Sequence, residues 1–507
     1  MARGDTHPQA GQPAEGFAGG PADRPAAGSS NAAARLRSSR LGRKLDHKLV
    51  KLFGSSIIDQ AMLSAANFVV GLILIRYTPE AQYGYYVLAF NAMMLATTLQ
   101  GTFVGTPLVI HLPQLTNDER RSWIGSLLRD QIRWGAIGSV VTIAFAAVAW
   151  SMGWLDPDAG PVLLAGLALI ACALYREYFR AVLMMYQRTV PVLGADAVYV
   201  VCLIAGGALA TRFPAAAVTA LLTAAVSALI GAALLRRVLR PEFDPHAAPG
   251  RLAGIARMGA MAAAGGVIYW LFTQGYSFLA AATLNVTDVA ALAASRLLLM
   301  PINLLSSGVQ RQLVPIASNW VHNHGVASTL RKLILFSAGI GGLTLVYGIV
   351  VWVLRDWIFL DLMRKRFDDR DTLLLMWIAI FLVMVVRDPL NQLLVLRQRF
   401  RILMAVSLVC AVISLSISYV GMVQWGTRGA LVGILAGEVL NLVAVLWLAR
   451  VESRTDTHEK APAGAAGAGA DAATATVAAV AATAETGAVP GMPPPVDPPS
   501  SFDAGRQ

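Results

Sequence analysis

The stretch "YREYFRAVLMMYQRTVPVL" (175–193) has a counterpart, "VRDPLNQLLVLRQRFRILM" (386–404), 211 residues further along the chain. In both stretches an Arg-acid pair is followed ten residues later by Gln-Arg. The matching positions are Arg176 and Arg387, Glu177 and Asp388, Leu183 and Leu394, Gln187 and Gln398, and Arg188 and Arg399. Arg-acid pairs are uncommon inside apolar sequence, so this recurrence predicts an internal duplication.

Two weaker matches have similar offsets. "TPEAQYGYYVLAF" (78–90) pairs with "LNVTDVAALAASR" (284–296) at an offset of 206, and "FPAAAVTAL" (213–221) pairs with "TRGALVGIL" (427–435) at 214. Three similar offsets favour two related halves over the alternative, chance similarity among helices rich in alanine and leucine.

The composition is that of a membrane protein. Hydrophobic residues make up 56% of the 507 residues and charged residues only 14%, whereas soluble domains have about 25% charged residues. The mean hydropathy is +0.58. The three cysteines fall in apolar runs without metal-ligand spacing, so no disulfide framework or metal site is predicted.

About twelve apolar segments are near the ~20 residues that a helix needs to cross a bilayer. They lie at 53–75, 83–110, 134–154, 161–185, 191–211, 214–235, 258–284, 289–315, 333–354, 372–396, 401–423 and 428–449. Six spans per half is an even number, so both halves have the same topology. The sequence therefore predicts an all-α polytopic membrane protein with two six-helix lobes related by a parallel repeat.

The predicted boundaries follow from composition. Both ends are rich in small and polar residues and lack the periodicity of a buried face, so we expect them to be disordered. The predicted parts are a basic cytoplasmic tail (1–51), an N-lobe (52–240), a cytoplasmic loop (241–257), a C-lobe (258–450) and a tail rich in alanine and proline (451–507).

Basic residues set the predicted orientation. A cluster of seven arginines and lysines at 35–51 lies directly before the first span; beside an apolar span it favours a cytoplasmic anchor over nucleic-acid binding. The loops at 111–133, 236–257 and 397–401 are also basic, which places both termini in the cytoplasm. One predicted outer loop, 355–371, disagrees, because it holds five basic residues beside five aspartates.

Three stretches carry a resemblance to a known family. They are "LIRYTPEAQYGYYVLAF" (74–90), "TLNVTDVAALAASRLLLMPINLLSSGVQRQLVPIAS" (283–318) and "WGTRGALVGILAGEVL" (425–440). In order and spacing they resemble the bacterial polysaccharide (O-antigen and exopolysaccharide) flippases of the multidrug/oligosaccharidyl-lipid/polysaccharide exporter superfamily. Ala290 and Ala291 depart from the pattern, which often has Gly and Tyr there.

The resemblance implies a transporter of the bacterial cytoplasmic (inner) membrane. It would move a polyprenyl-diphosphate-linked oligosaccharide to the outer leaflet by alternating access, for surface polysaccharide assembly. The implied partners are this lipid-linked substrate, membrane lipids and the polysaccharide polymerase machinery, with no nucleic acid and no cofactor. The rival readings are a multidrug or small-molecule exporter of the same superfamily and a membrane polymerase or ligase of the polysaccharide pathway.

Polar residues inside the spans are candidates for a pathway, because they are expensive in lipid. Span 8 carries Arg296, Asn303, Ser307 and Gln310 on one face, span 1 carries Gln60, Ser64 and Asn67, and span 2 carries Asn91. Such stripes either line a cavity or form hydrogen bonds between helices. The arginine favours a lining role for the stripe of span 8.

The charged pairs of spans 4 and 10 have two interpretations. Arg176, Arg180 and Arg387 either extend to the cytoplasmic interface or form a basic vestibule that binds a diphosphate. Glu438, in the middle of span 12, either pairs with an arginine such as Arg296 or carries a proton, and Asp59 is a weaker candidate.

The candidate site residues are thus of two kinds, and neither is catalytic. The substrate-binding candidates are Arg296, Arg176, Arg180, Arg387, Asn303, Gln310, Gln60, Asn67 and Asn91. The ion-coupling candidates are Glu438, Asp59, Glu177 and Asp388. No phosphate-binding glycine loop, HExxH motif or nucleophile elbow occurs in the sequence, so we do not expect an enzyme.

Overall fold

The computed structural model describes residues 54–459 except 56, 154–155, 157 and 368, and it does not describe the side chains of 311 and 455–459. The predicted tail at 1–51 and all of the predicted tail at 451–507 beyond residue 459 therefore lie outside the described residues. Residues 451–459, which we expected to belong to the tail, continue the last helix.

Within the described residues, the architecture is a bundle of twelve membrane-length helices. Eight of them are uninterrupted: α1 (Ile57–Tyr77), α3 (Asn117–Ser151), α4 (Ala159–Met185), α5 (Thr189–Ala210), α7 (Arg251–Thr283), α10 (Arg370–Leu396), α11 (Phe400–Trp425) and α12 (Thr427–Arg454). The others are α2 (Glu80–Gln114, with a π-helical turn at Gly101–Gly105), α6 (Ala216–Glu242, ending in a 3-10 turn), α8 (Val286–Leu297, then 300–324) and α9 (326–353).

Two interruptions define α8 and α9. A continuous run of helical hydrogen bonding covers Met300–Val353, but Gly325 inside it has φ 76° and ψ 170°. Glycine adopts this region without the steric cost of a Cβ, so the chain can turn there and the run forms two spans. The other interruption, at 298–299, precedes Pro301, which has no backbone N–H for a continuous helix.

Two predicted inner loops are shorter than expected. The predicted loop at 111–133 is mostly the first part of α3, which begins after a capping box in which Glu119 accepts a hydrogen bond from the Thr116 N–H at 2.9 Å. The predicted loop at 236–257 shrinks because α6 extends to Glu242 and α7 begins at Arg251. These helices extend past their apolar spans with polar residues, which hydropathy alone assigns to loops.

The two halves have the same arrangement of helices. In the N-lobe α6 packs against α4 and α5, and in the C-lobe α12 packs against α10 and α11. The crossing of α11 and α12 is very close, since a Cβ on Gly429 would lie 1.9 Å from the carbonyl carbon of Gly421. The predicted fold class, two six-helix lobes related by a parallel repeat, is confirmed.

The repeat extends to the ends of α4 and α10. Gln187 and Gln398 both have positive φ, 55° and 57°. In each lobe the next residue donates its backbone N–H to a carbonyl five positions back, Leu183 at 3.0 Å and Leu394 at 3.1 Å. This is the hydrogen-bond pattern of a Schellman C-cap, so the Gln-Arg that recurs in the sequence performs the same turn twice.

The lobes are in contact along α2 and α7 and at one end of the bundle. We name this end the outer end because α1 ends there and the sequence predicts it to be outside. A Cβ on Gly84 of α2 would lie 2.1 Å from the carbonyl oxygen of Val286 in α8. Arg76 donates to the carbonyl oxygen of Leu362 at 2.7 Å, and Lys365 donates to that of Thr78 at 2.8 Å. We name these two hydrogen bonds the outer latch.

Candidate functional site

A cavity of about 200 Å³ lies between the lobes, inward of the outer latch. One wall comes from α1 and α2 of the N-lobe, and the other from α7, α8 and α10 of the C-lobe. The polar lining residues are Gln60, Ser64, Thr98, Tyr269, Thr273, Gln274, Arg296, Asn303, Ser306, Ser307, Gln310 and Asp388. The stripes of spans 1 and 8 thus face each other across one space.

Arg296 ends the first part of α8 and lines this cavity. Its guanidinium donates to the Gln274 side-chain oxygen at 2.6 Å and to the Tyr276 hydroxyl at 3.4 Å. It also lies 5.4 Å from the ring centre of Trp377, whose indole N–H is held by the Leu292 carbonyl oxygen at 3.1 Å. All of these partners are neutral, and in the described part of the chain no ion pair forms with Arg296.

The other predicted lining residues divide into two groups. Gln60, Asn303 and Gln310 line the cavity beside Arg296. Asn67 and Asn91 do not belong to the lining; Asn91 is buried where its backbone carbonyl accepts a hydrogen bond from the Trp270 indole at 3.2 Å. Since Trp270 is in α7, that contact joins the two lobes.

A buried network in the C-lobe connects to the cavity. Arg387 binds Glu438 at 2.5 Å and Asp388 at 2.8 Å. The other oxygen of Asp388 accepts hydrogen bonds from Gln310 at 3.0 Å and Ser306 at 3.3 Å. We name these five residues the C-lobe network; Asp388, Gln310 and Ser306 belong to both the network and the cavity wall.

A second buried network lies in the N-lobe. Asp196 of α5 binds both arginines of α4, Arg176 at 2.5 Å and Arg180 at 3.0 Å. Arg180 also binds Asp59 of α1 at 2.5 Å, and Glu177 pairs with Arg176 at 2.6 Å. We name these five residues the N-lobe network. It contributes no residue to the cavity lining.

The structure gives a third environment for Arg176, Arg180 and Arg387, different from both interpretations of the sequence. All three are at most 5% exposed and are bound by carboxylates, so they neither extend to the interface nor line the cavity in this conformation. Their predicted role in substrate binding stays a prediction. Glu438 pairs with Arg387 rather than with Arg296.

Sequence reasoning missed Asp196, which is fully buried and joins both arginines of its lobe. Its signal was present, because an aspartate within an apolar span is expensive in lipid. It also missed the groups that hold Arg296. Gln274, Tyr276 and Trp377 lie on α7 and α10, far from Arg296 in sequence, and only the tertiary fold brings them together.

The electrostatics of the cavity differ from those of the networks. A guanidinium that is held by neutral groups keeps its charge available for an anion, and its planar fork suits a bidentate contact with phosphate. In the described residues each network has one carboxylate more than it has guanidinium groups. With all its groups ionised, each network thus carries a net negative charge, which attracts a cation.

No family model matches this sequence, and no curated protein matches it. Solved structures with a similar fold include an inward-facing multidrug resistance MATE family transporter of the MOP superfamily, with 12% identity, a TM-score of 0.57, and coverage of 82% of this chain and 100% of that one. The lipid II flippase MurJ in an inward closed conformation has 11% identity, a TM-score of 0.61 and coverage of 79% and 87%.

An outward-facing MATE family transporter is also similar, with 12% identity, a TM-score of 0.54 and coverage of 81% and 96%. At these identities the likeness concerns the fold. The chain is thus a multi-pass membrane protein with the fold of the MATE and MurJ transporters.

Proposed function

We propose that this protein is a flippase that moves a polyprenyl-diphosphate-linked oligosaccharide across the bacterial cytoplasmic membrane for surface or exopolysaccharide assembly. The observation that carries the proposal is Arg296: a cation on the wall of the cavity between the lobes, held by neutral side chains alone among the described residues. The fold similarity to a lipid II flippase supports the same substrate class.

In this mechanism the two lobes, 52–240 and 258–450, rock about the cavity. Arg296 binds the diphosphate, and Gln60, Asn303 and Gln310 donate hydrogen bonds to sugar hydroxyls. The polyprenyl chain stays in the bilayer. Opening of the outer latch then releases the oligosaccharide to the side away from the cytoplasmic termini, where polymerase machinery receives it.

Ion coupling belongs to the buried networks. Asp388 is both a partner of Arg387 and part of the cavity wall, so a change of charge on Glu438 reaches the substrate site through a single arginine. The N-lobe candidates Asp59 and Glu177 lack such a connection in the described residues, and they serve as the comparison in the experiments below.

The test of this function is Arg296→Gln, which keeps hydrogen-bonding capacity and removes the charge. We expect the variant to be present in the membrane at the normal level. Substrate affinity should fall by about ten- to a hundredfold, because a charge-assisted bond contributes about 1.5–3 kcal/mol. The measurement is accumulation of lipid-linked oligosaccharide in cells that have only this variant.

The matched control is Asn303→Ala, which trims a lining side chain without altering charge. We expect it to reduce export far less than Arg296→Gln. Normal export by Arg296→Gln, with no accumulated lipid-linked intermediate, would contradict the proposal.

A specific observation favours the rival function, export of small cationic compounds: the carboxylate of Asp388 also lines the cavity. An exporter of cations requires Asp388 and not Arg296. Resistance to cationic drugs that is lost in Asp388→Asn and kept in Arg296→Gln would support the exporter.

A further inference from the structure

The segment between α9 and α10 is the predicted outer loop that is an exception to the distribution of basic residues. Among its basic residues, Arg355 pairs with Asp371 at 3.5 Å, and Arg370 pairs with Asp356 and Asp371. Arg428 of α12 pairs with Asp369. Asp356, Asp369 and Asp371 are therefore paired with Arg355, Arg370 or Arg428.

Arg364 and Arg366 are different from their neighbours. Both are exposed, and in the described residues no carboxylate pairs with either of them. Lys365, between them, points the other way and donates to the Thr78 carbonyl oxygen in the outer latch. The segment thus keeps one cation for the latch and presents two to the surroundings.

The backbone holds these two cations in an unusual conformation. A π-helical turn at Trp357–Leu362 leads into Arg364, which has φ 54°. A residue with a side chain has a steric cost at this positive φ. π-Helical turns are rare in proteins, and those that occur are often at functional sites. The conformation is fixed by hydrogen bonds from the Met363 N–H to the Ile358 carbonyl oxygen at 2.8 Å and from the Lys365 N–H to that of Phe359 at 3.0 Å.

The same turn exposes apolar side chains. Trp357 is 55% exposed and Leu360 is 39% exposed. Tryptophan is enriched at the interface between lipid and water, where its ring lies among the headgroups. Exposed apolar groups beside exposed arginines are the composition of a segment that lies on a membrane surface.

We propose that residues 354–367, which we name the outer segment, bind the phosphate headgroups of anionic phospholipids through Arg364 and Arg366, with Trp357 and Leu360 at the boundary of the acyl chains. The location of this site in the outer leaflet rests on the orientation of the proposed function. The binding itself does not require transport.

The experiment uses the full chain in neutral detergent micelles and measures the binding of phosphatidylglycerol by native mass spectrometry, with phosphatidylcholine as the reference lipid. Each arginine near an anionic lipid surface raises the affinity for that lipid about fivefold. We therefore expect the double variant Arg364→Gln/Arg366→Gln to bind phosphatidylglycerol about 25-fold more weakly, with phosphatidylcholine binding unchanged.

The matched control is Arg428→Gln/Asp369→Asn, which removes an exposed outer arginine together with its carboxylate. We expect it to retain the affinity for phosphatidylglycerol, because that arginine is already neutralised. An equal loss in both double variants, or no loss in the first, would overturn the proposal. An unchanged unfolding midpoint in neutral micelles verifies that each variant is folded.

A competition with inorganic diphosphate separates phospholipid from the transported lipid. We expect diphosphate to leave phosphatidylglycerol bound, because the exposed apolar groups contribute to lipid binding. Complete displacement by low concentrations of diphosphate would overturn the assignment to phospholipid. None of these experiments measures export. The lipid-binding result can therefore be interpreted even if the protein is not a flippase.

Discussion

In the N-lobe, α4 contributes two arginines to the buried network; in the C-lobe, α10 contributes one, and Asn391 occupies the position that matches Arg180 at the offset of 211. The partners differ accordingly. Arg180 binds two aspartates, whereas in the C-lobe the second cation is absent and amide and hydroxyl groups of α8 complete the shell of Asp388.

The same arginine-acid pair therefore has different surroundings in the two lobes. The N-lobe network is closed on itself and holds α1, α4 and α5 together. The C-lobe network has neutral donors, Ser306 and Gln310, in place of the second guanidinium, and these donors also line the cavity. The arginine-acid pair of the C-lobe is therefore in contact with the cavity wall. The N-lobe network thus joins helices of its own lobe only, whereas the C-lobe network also reaches the cavity between the lobes.

The largest expected effect comes from removing the inherited arginine of each lobe. We expect Arg387→Met to cost about 3–5 kcal/mol of stability, because it leaves Asp388 and Glu438 buried without a guanidinium among the described residues. Arg176→Met should cost less, because Arg180 still binds Asp196. The measurement is the thermal unfolding midpoint of each purified variant in detergent.

The control is the double variant Arg387→Met/Glu438→Leu, which removes the Glu438 carboxylate together with the guanidinium and leaves Asp388 as the one carboxylate of the network. It should recover part of the lost stability. Equal losses of stability from Arg176→Met and Arg387→Met would show that Arg180 does not compensate for the loss of Arg176. That result would contradict the stated difference between the two lobes.

A moderate effect is expected on the pH dependence of transport. Glu438→Gln should remove this dependence, because the amide keeps the shape of the side chain and cannot release a proton. Asp59→Asn should retain it, because the N-lobe network does not reach the cavity. Transport by reconstituted protein, measured over a range of pH, distinguishes the two lobes; the reverse pattern would assign coupling to the N-lobe.

The smallest effect is expected at the inner ends of the lobes. There the C-lobe, and not the N-lobe, has the second arginine. Arg188 pairs with Glu242 at 2.6 Å, and Arg399 pairs with Glu452 at 2.6 Å, but Glu452 also receives Arg397 at 3.5 Å. Replacing Arg188 by Gln should cost below about 1 kcal/mol, since the pair is partly exposed. The matched Arg399→Gln should cost still less, and a larger loss from it in thermal unfolding would contradict this view.

Local sequence was sufficient for the elements of the fold. The spans, the duplication and the recurring Gln-Arg turn depend on composition and spacing within short stretches, so they could be predicted. The sequence also predicted a break between spans 8 and 9, but not that it would be a turn at the single residue Gly325. That detail and the helical extension of α3 could not be predicted, because glycine and polar residues are also compatible with loops. Their structure depends on packing.

The site was predictable only in part. Arg296, Asn303 and Gln310 share a helix face, so spacing was enough to group them. The partner of each charged residue could not be predicted, because Arg387 pairs with Glu438, and Arg180 with Asp59, on helices distant in sequence. Adjacent residues on a helix point in different directions, yet Arg387 and Asp388 do pair, at 2.8 Å. Helix spacing alone therefore does not decide which charges form pairs, and tertiary packing does.

The outer latch has a consequence for the order of events in transport. Its acceptors are the backbone carbonyl oxygens of Leu362 and Thr78, and a carbonyl oxygen does not gain or lose a proton under physiological conditions. Neither acceptor of the latch is therefore a group that changes its charge with pH. In the proposed mechanism, a proton that drives the cycle would bind to the buried carboxylates, and the helices would transmit its effect to the outer end before the lobes separate.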